Sequence, residues 1–504
     1  MNTIIRFSLI AFLGFFLSRR QTPVENYVSV NGDNNASGTT EIPIKMIAND
    51  RTTYLVVGNR SSISGDPCGA VISGQMRLNN TKEWVENWIS ADDSLYWIIN
   101  CPDPGKYALS LIYRCEKEPG AELSIQIEDE SFSIHIHKFN GMYAMYNQNW
   151  DIAKTDYIFN IPKGQSKLVV KANQISKEKT VNLFAVGLTP LSAREALENE
   201  KERAQKARSD PEWFQNAGYG LMVHWIPDCP PRRGPLKPYN QAASDFNVEW
   251  FANRVESTGA KYLLFHIAGH NFPAPIKSWE EPHPDGVITD RDLIKDLAMA
   301  MHARNIKFIL GQGLPEVGNF WRYGYKKSTD SFIKIYTEIG KRYGNLLDGV
   351  FFDGGRELIP YPVNWEGMYK ACKTGNPNRI LSYNFWVLPI TTPWIDFFTG
   401  EGCNNEFKPI TDRIIPYGVG KGLQNHAMFP IDDGQRWWNK TLNYDMKGPA
   451  FKTEDLITLI KGSKEHGVPI TLNVNIYQDG SWNDETLEQL KEVKKAIFPN
   501  EIQN

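Results

Sequence analysis

The chain has 504 residues, 41% of them hydrophobic, 12% aromatic and 22% charged, and a formal net charge of -3. This is a globular composition with length for about two to four domains. Its near-neutral balance leaves no electrostatic footprint for nucleic acid or an anionic membrane surface.

The N-terminus, MNTIIRFSLIAFLGFFLSRRQTPV, places one Arg before an apolar run of roughly a dozen residues, too short to span a bilayer. This predicts a secretory signal peptide over residues 1–20, an exported (periplasmic or extracellular) protein and no transmembrane span. Cys68, Cys101, Cys115, Cys229, Cys372 and Cys403 show no CxxC or Cys/His spacing, so no metal site is expected. The first three share the N-terminal third, where export would permit one disulfide.

From Glu41 to Leu191 short alternating runs (TTYLVVG, LYWIINC, KYALSLIYRC, ELSIQIED, SFSIHIHKF, SKLVVKAN, VNLFAVGL) are broken by Gly, Pro and Asn. That pattern predicts an all-β sandwich over residues 41–191. It is either a carbohydrate-binding module or a packing domain, and the absence of an aromatic cluster on one strand face favours packing. His135 and His137 lie on one strand face with no third ligand nearby, which reads as a polar face. Charges at helical spacing over residues 192–210 predict a solvated helical linker.

After the linker, strand-like runs alternate with amphipathic helices. The runs are YGLMVHW (219–225), KYLLFHIA (261–268), KFILGQG (307–313), LDGVFFDG (347–354), RILSYNFW (379–386), WIDFFTGE (394–401), GLQNHAMFP (422–430) and PITLNVNIY (469–477). Eight strands in βα alternation over residues 211–500 predict a (β/α)8 TIM-like barrel of the α/β class, with helices short or missing after the fifth and sixth strands.

The C-terminal strand ends of such a barrel carry its function. Here they deliver His224 and Trp225, then His266 with His270 and Asn271 beyond it, then Gln312, Asp353, Tyr383 with Asn384 and Trp386, Thr399 and Glu401, Asp432 and Asp433, and Asn473 and Asn475. Carboxylates on separate strands among His, Tyr, Trp and Asn suit glycoside hydrolysis, in which one attacks the anomeric carbon and another protonates the departing oxygen. Trp225, Trp386, Trp437 and Trp438 are either sugar platforms or core. Asp353 has the competing reading of a turn carboxylate in Asp-Gly-Gly, and Asp432 and Asp433 read as a turn.

WFQNAGYGLMVHW, GAKYLLFHIAGHNF, DRDLIKDLAMAMHARNIKF, LDGVFFDGG, WIDFFTGE and PITLNVNIYQDG, in that order, resemble the strand blocks of the α-L-fucosidase family of retaining glycoside hydrolases (glycoside hydrolase family 29). The resemblance covers residues 211–497. It implies a terminal α-L-fucose of a glycan as substrate, no cofactor, Asp353 as nucleophile, and His224 and His270 as hydrogen-bonding partners of the sugar hydroxyls. Glu401, in the TGE segment, is the expected acid/base, with Glu406 and Glu357 as alternatives. The second strand departs from the family's paired His and Asp at Gly269-His270 and Asn271, and the last strand has Asn475-Ile476 in place of Gly-Pro. These departures keep open another L-sugar such as L-galactose, His266 as a substitute sugar contact, and a barrel that binds sugar without cleaving it.

Overall fold

The computed structural model describes residues 42–115, 119–138, 150–402, 407–416 and 420–501; the predicted signal peptide lies outside them.

Residues 44–190 form two six-stranded sheets. In one, Ile44–Met46, Ser94–Cys101, Gly164–Gln174, Glu122–Ile127 and Glu130–His135 lie in that order, with Val71–Ser73 also on Ser94–Cys101. The other runs Asp151–Ile161, Gly105–Arg114, Asn182–Pro190, Val85–Glu86, Arg77–Leu78, with Thr53–Val56 also on Asn182–Pro190. Alternation decides the faces. In SLYWIINC the residues Leu95, Trp97, Ile99 and Cys101 are buried and those between them are not. Leu95, Trp97, Ile125 and Leu168 of the first sheet share one core with Leu109, Leu111, Phe159 and Leu188 of the second. Cys68 and Cys101 carry free, buried thiols, so the two do not form the disulfide that export would permit. A helix, Arg194–Ala207, follows, with Ala204 its buried residue.

The second region is built on a parallel sheet of seven strands: β1 (Tyr219–His224), β2 (Tyr262–Ile267), β3 (Lys307–Gly313), β4 (Gly349–Asp353), β5 (Ile380–Tyr383), β6 (Ala427–Pro430) and β7 (Ile470–Val474). Their order is β5-β4-β3-β2-β1-β7-β6. Helices including Val248–Ser257, Leu293–His302, Phe320–Tyr343, Trp365–Lys373, Thr453–Glu465 and Asp484–Ile497 connect or follow them. Asn247, Asp292, Asn364 and Asn483 cap four of these by accepting hydrogen bonds from first-turn amides.

Each strand of the curled sheet carries two apolar faces. Met222, Tyr262, Leu264, Ile309, Phe351, Ile380, Phe397 and Met428 form one inner cluster. The alternate residues, such as Leu221, Val223, Leu263, Phe265, Phe308 and Leu310, join the helices in a larger outer one.

Of the eight predicted strands, the sixth is not a continuous strand. Gly400 and Gly402 take left-handed φ values of 55 and 98, which break a regular ladder. The segment is nonetheless held between the sheet's two edges. Asp396 N donates to Leu381 O of β5 at 2.9 Å, Phe398 N to Gln424 O at 2.9 Å, and Met428 N of β6 to Gly400 O at 2.9 Å. The buried Asp396 carboxylate replaces the missing ladder. It accepts hydrogen bonds from Ser209 N at 3.0 Å, Tyr369 Oη at 2.7 Å, Lys373 Nζ at 2.6 Å and Leu381 N at 2.7 Å.

Candidate active site

The side chains that follow the inner cluster by two or four residues form the next layer toward the C-terminal strand ends. They are His224 after Met222, His266 after Leu264, Asp353 after Phe351, Asn384 after Ile380 and Glu401 after Phe397. β7 adds Asn473, whose backbone partner on β1 is Met222.

Asn384 organises the carboxylates. Its Oδ1 accepts from Trp386 N at 2.9 Å and from Thr399 Oγ1 at 3.2 Å, which fixes the amide orientation. Its Nδ2 therefore faces the acids and donates to Asp353 Oδ1 at 2.9 Å and to Glu401 Oε2 at 2.6 Å. Gly354 N also donates to Asp353 Oδ1, at 2.9 Å.

The two acids differ in environment. Asp353 is half-buried, whereas Glu401 is 2% exposed and its Oε1 has no hydrogen-bond partner. Burial, and then the nearby Asp353 charge, push the Glu401 carboxyl up to about 7. Glu357, on the turn after β4, is raised to about 7 by burial against the opposing pull of Arg356 and Arg60. Glu316, on the short helix Leu314–Val317 after β3, is raised to about 7 by burial, although Gly269 N donates to its Oε2 at 2.6 Å.

The histidines are neutral. Asn473 Nδ2 donates to Trp437 O at 2.9 Å, so its Oδ1 accepts from His224 Nδ1 at 2.9 Å and His224 Nε2 is left as an acceptor. Burial and the neighbouring His266 hold His224 well below the usual imidazole range, and burial brings His266 down to about 3. The two rings lie 4.6 Å apart, with Trp438 at 5.6 Å from His224. Both ring nitrogens of His266 are buried without a hydrogen-bond partner. Such a pair suits hydroxyl recognition rather than proton transfer near neutral pH. Among the described residues no group of three or more His, Cys, Asp or Glu is placed to hold a metal ion.

No protein-family model matches the chain. A solved α-L-fucosidase from Lactobacillus casei, in complex with α-L-fucose product, is 16% identical with a TM-score of 0.40, covering 58% of this chain and 100% of its own. The tissue α-L-fucosidase of Macaca fascicularis is 27% identical over 144 residues, which is 22% of this chain and 30% of that protein. The tissue α-L-fucosidase of Mus musculus is 28% identical over 144 residues, 22% of this chain and 31% of that protein. The chain is α-L-fucosidase-like in sequence. The match spans less than a third of the length of these curated relatives.

The structure brings Asp353, Glu401, His224 and His266 to one layer and holds Glu357 beside it. Three predicted substrate contacts face the other way. Trp225 packs on Tyr239 and Phe246 and donates from Nε1 to Gln478 O at 2.9 Å. Gln312 Oε1 accepts from Tyr336 of the outer helix Phe320–Tyr343. Tyr383 stacks on Phe352 at 5.5 Å and meets Trp365 edge-on at 5.0 Å. Each sits one residue from an inward position, and odd and even positions of a strand point to opposite faces. His270 lies beyond β2 with its ring 5.0 Å from His283, and Asn271 Oδ1 accepts from Val287 N at 2.8 Å, a loop-closing role. Trp386 is half-buried at the rim, with the Arg356 guanidinium 4.9 Å from its ring centre. Glu406 lies outside the described residues.

Sequence reasoning passed over Glu316, Arg356 and the bridging role of Asn384. Glu316 follows the third strand end in GQGLPEV, and that position was its one visible signal.

Proposed function

We propose that the protein is an exo-acting retaining glycoside hydrolase that removes a terminal α-L-fucose from a glycan. The curved parallel sheet, with segment 396–402 between its edges, is read as a (β/α)8 barrel whose sixth strand is irregular, and the two sheets before it as a β-sandwich. The apolar N-terminal run supports export.

One observation carries the mechanism: Asn384 Nδ2 donates to both Asp353, at 2.9 Å, and Glu401, at 2.6 Å. Two oxygens tied to one nitrogen at those lengths lie no more than 5.5 Å apart, which supports the close spacing of retaining enzymes, about 5–5.5 Å, over the about 6.5–9.5 Å of inverting ones. Asp353 attacks the anomeric carbon while the glycosidic C–O bond breaks. Glu401 gives its proton to the departing oxygen, and the Glu401 carboxylate then takes a proton from the water that displaces Asp353. The raised Glu401 carboxyl keeps a substantial protonated fraction near neutral pH, which that first step needs. The unpartnered His266 nitrogens and His224 Nε2 meet sugar hydroxyls.

The same bridge weighs against a barrel that binds sugar without cleaving it, since recognition alone requires no second carboxyl at this spacing. The test is turnover of an aryl α-L-fucoside by the wild type and Asp353→Ala. Turnover lost in the variant, with azide giving a fucosyl azide of inverted anomeric configuration, supports the reading. An inert wild type rejects fucose, and α-L-galactoside is then the next substrate.

A further inference from the structure

The catalytic layer is backed by a side chain from the other region of the chain. Residues 77–86 fold back as a tight ribbon in which Arg77–Leu78 pairs with Val85–Glu86. Asn79 Oδ1 accepts from Glu83 N at 2.8 Å and Trp84 N at 3.3 Å, and Thr81 Oγ1 donates to Glu83 Oε2 at 2.5 Å. The ribbon lies against Gly58, where a Cβ would stand 2.2 Å from Lys82 O, so only glycine admits it. Glu83 and Trp84 are thus pre-set before they meet the second region.

Both meet the turn and strand end that follow the nucleophile. Arg356, three residues after Asp353, donates from Nε to Glu83 Oε1 at 2.6 Å, and both side chains are 3% exposed. Trp84 lies 5.9 Å from Trp386, which also faces the Arg356 guanidinium. Arg60, from the first region, stands 3.8 Å from both Glu83 and Glu357. The charged groups facing Arg356 are Glu83, Glu357, Asp353 and Glu401, and those facing Glu357 include Arg356, Arg60, Glu83 and Asp353. A contact needed only to dock two domains is made more cheaply by apolar residues than by a desolvated ion pair. This pair instead sits where a cation sets the charge state of the acids.

We propose that Glu83 is a positioning residue of the catalytic centre, holding Arg356 and balancing its charge beneath Asp353, Glu357 and Glu401, so that the N-terminal sheets are a working part of the hydrolase and not a separable sugar-binding module. The inference rests on the glycosidase reading for its kinetic consequence but not for its electrostatic one.

Removing the Glu83 charge leaves Arg356 less compensated, so it favours the ionised form of the acids beside it. In Glu83→Gln, kcat falls about tenfold or more with KM within about threefold, and the alkaline limb of the pH profile moves acidward by about one unit. In Arg60→Gln the Glu357 part of the titration moves the opposite way, because a cation 3.8 Å from that carboxyl is lost. The measurement independent of substrate is an infrared titration of the protonated-carboxyl band between about pH 5 and 9, with the Glu401 part assigned by its loss in Glu401→Gln. That band shifts acidward in Glu83→Gln and alkaline in Arg60→Gln. Unmoved band and limb in both variants, with only thermal stability changed, reduce the pair to a structural contact and overturn the proposal. Should Glu83→Gln not fold, Glu83→Asp, which draws the carboxylate back from Arg356 by one methylene, is titrated instead, and an unmoved band there overturns the proposal. A wild type inert on fucosides with a moving band defeats the fucosidase reading and leaves this one standing.

Discussion

Asp353 and Glu401 share a single hydrogen-bond donor, the Nδ2 of Asn384, although 48 positions separate them in the chain. The bridge fixes the distance between the acids and gives each a partner that no charge change removes. Asn384→Ala deletes both bonds and frees the Glu401 side chain to rotate. Misplacing a reacting group by about 1 Å costs about 10²-fold in rate. The expected result is a kcat loss of that size with KM little changed, read by Michaelis kinetics on an aryl α-L-fucoside. Asn384→Asp is expected to be worse, because a third carboxylate would repel the other two.

The alkaline side of the pH profile follows from Glu401. Its carboxyl is raised to about 7, so with Glu401 in the proposed role of proton donor kcat/KM is expected to decline above that pH. The same shift has a stability consequence of opposite benefit. A carboxyl whose folded pKa exceeds its unfolded value near 4.5 costs nothing below that value. The cost grows as pH rises and is complete above about 7. Glu401→Gln is therefore expected to stabilise the fold by about 1–3 kcal/mol at pH 8 and not at pH 4. Thermal unfolding of both proteins at the two pH values checks it.

If Glu401 is the proton donor, its loss should depend on how much help the leaving group needs. Glu401→Gln is expected to cost about 10²–10⁴ on a poor leaving group such as a sugar and far less on a nitrophenolate, which departs unprotonated. Equal losses on both would hand the role to Glu357 or Glu316, which are raised to about 7 in the same way.

Much of this layer was written in the alternation of the strands. His224, His266 and Asp353 continue the inner faces of VFF-like runs, and their choice needed only the period of two. The same period, applied strictly, separates Asn384 from Tyr383 and His224 from Trp225. Reading every polar residue at a strand end as functional is what placed Trp225, Gln312 and Tyr383 in the site. The sixth segment was harder, because two left-handed glycines and the Asp396 network replace a ladder. Glu83 and Arg356 meet across 273 positions, and no local pattern announces such a pair.

The irregular sixth segment gives the last prediction, because fold and function separate there. Asp396 pins its beginning with four hydrogen bonds, one from Lys373, whose side chain is 11% exposed. Asp396→Ala leaves that ammonium buried beside an empty site, and losing one partner of a buried pair costs about 3–5 kcal/mol. A large drop in thermal midpoint is expected. Gly400, four residues on, acts differently. Its φ is 55, and a Cβ there would lie 1.8 Å from His426 O. Gly400→Ala must push the chain off β6 at the residue before Glu401. Displacing a reacting group by about 1 Å costs about 10²-fold in rate. The expected outcome is a kcat loss of at least that order with a smaller fall in midpoint than Asp396→Ala gives. A Gly400→Ala enzyme that keeps full kcat would show that Glu401 is not the group whose position limits the reaction.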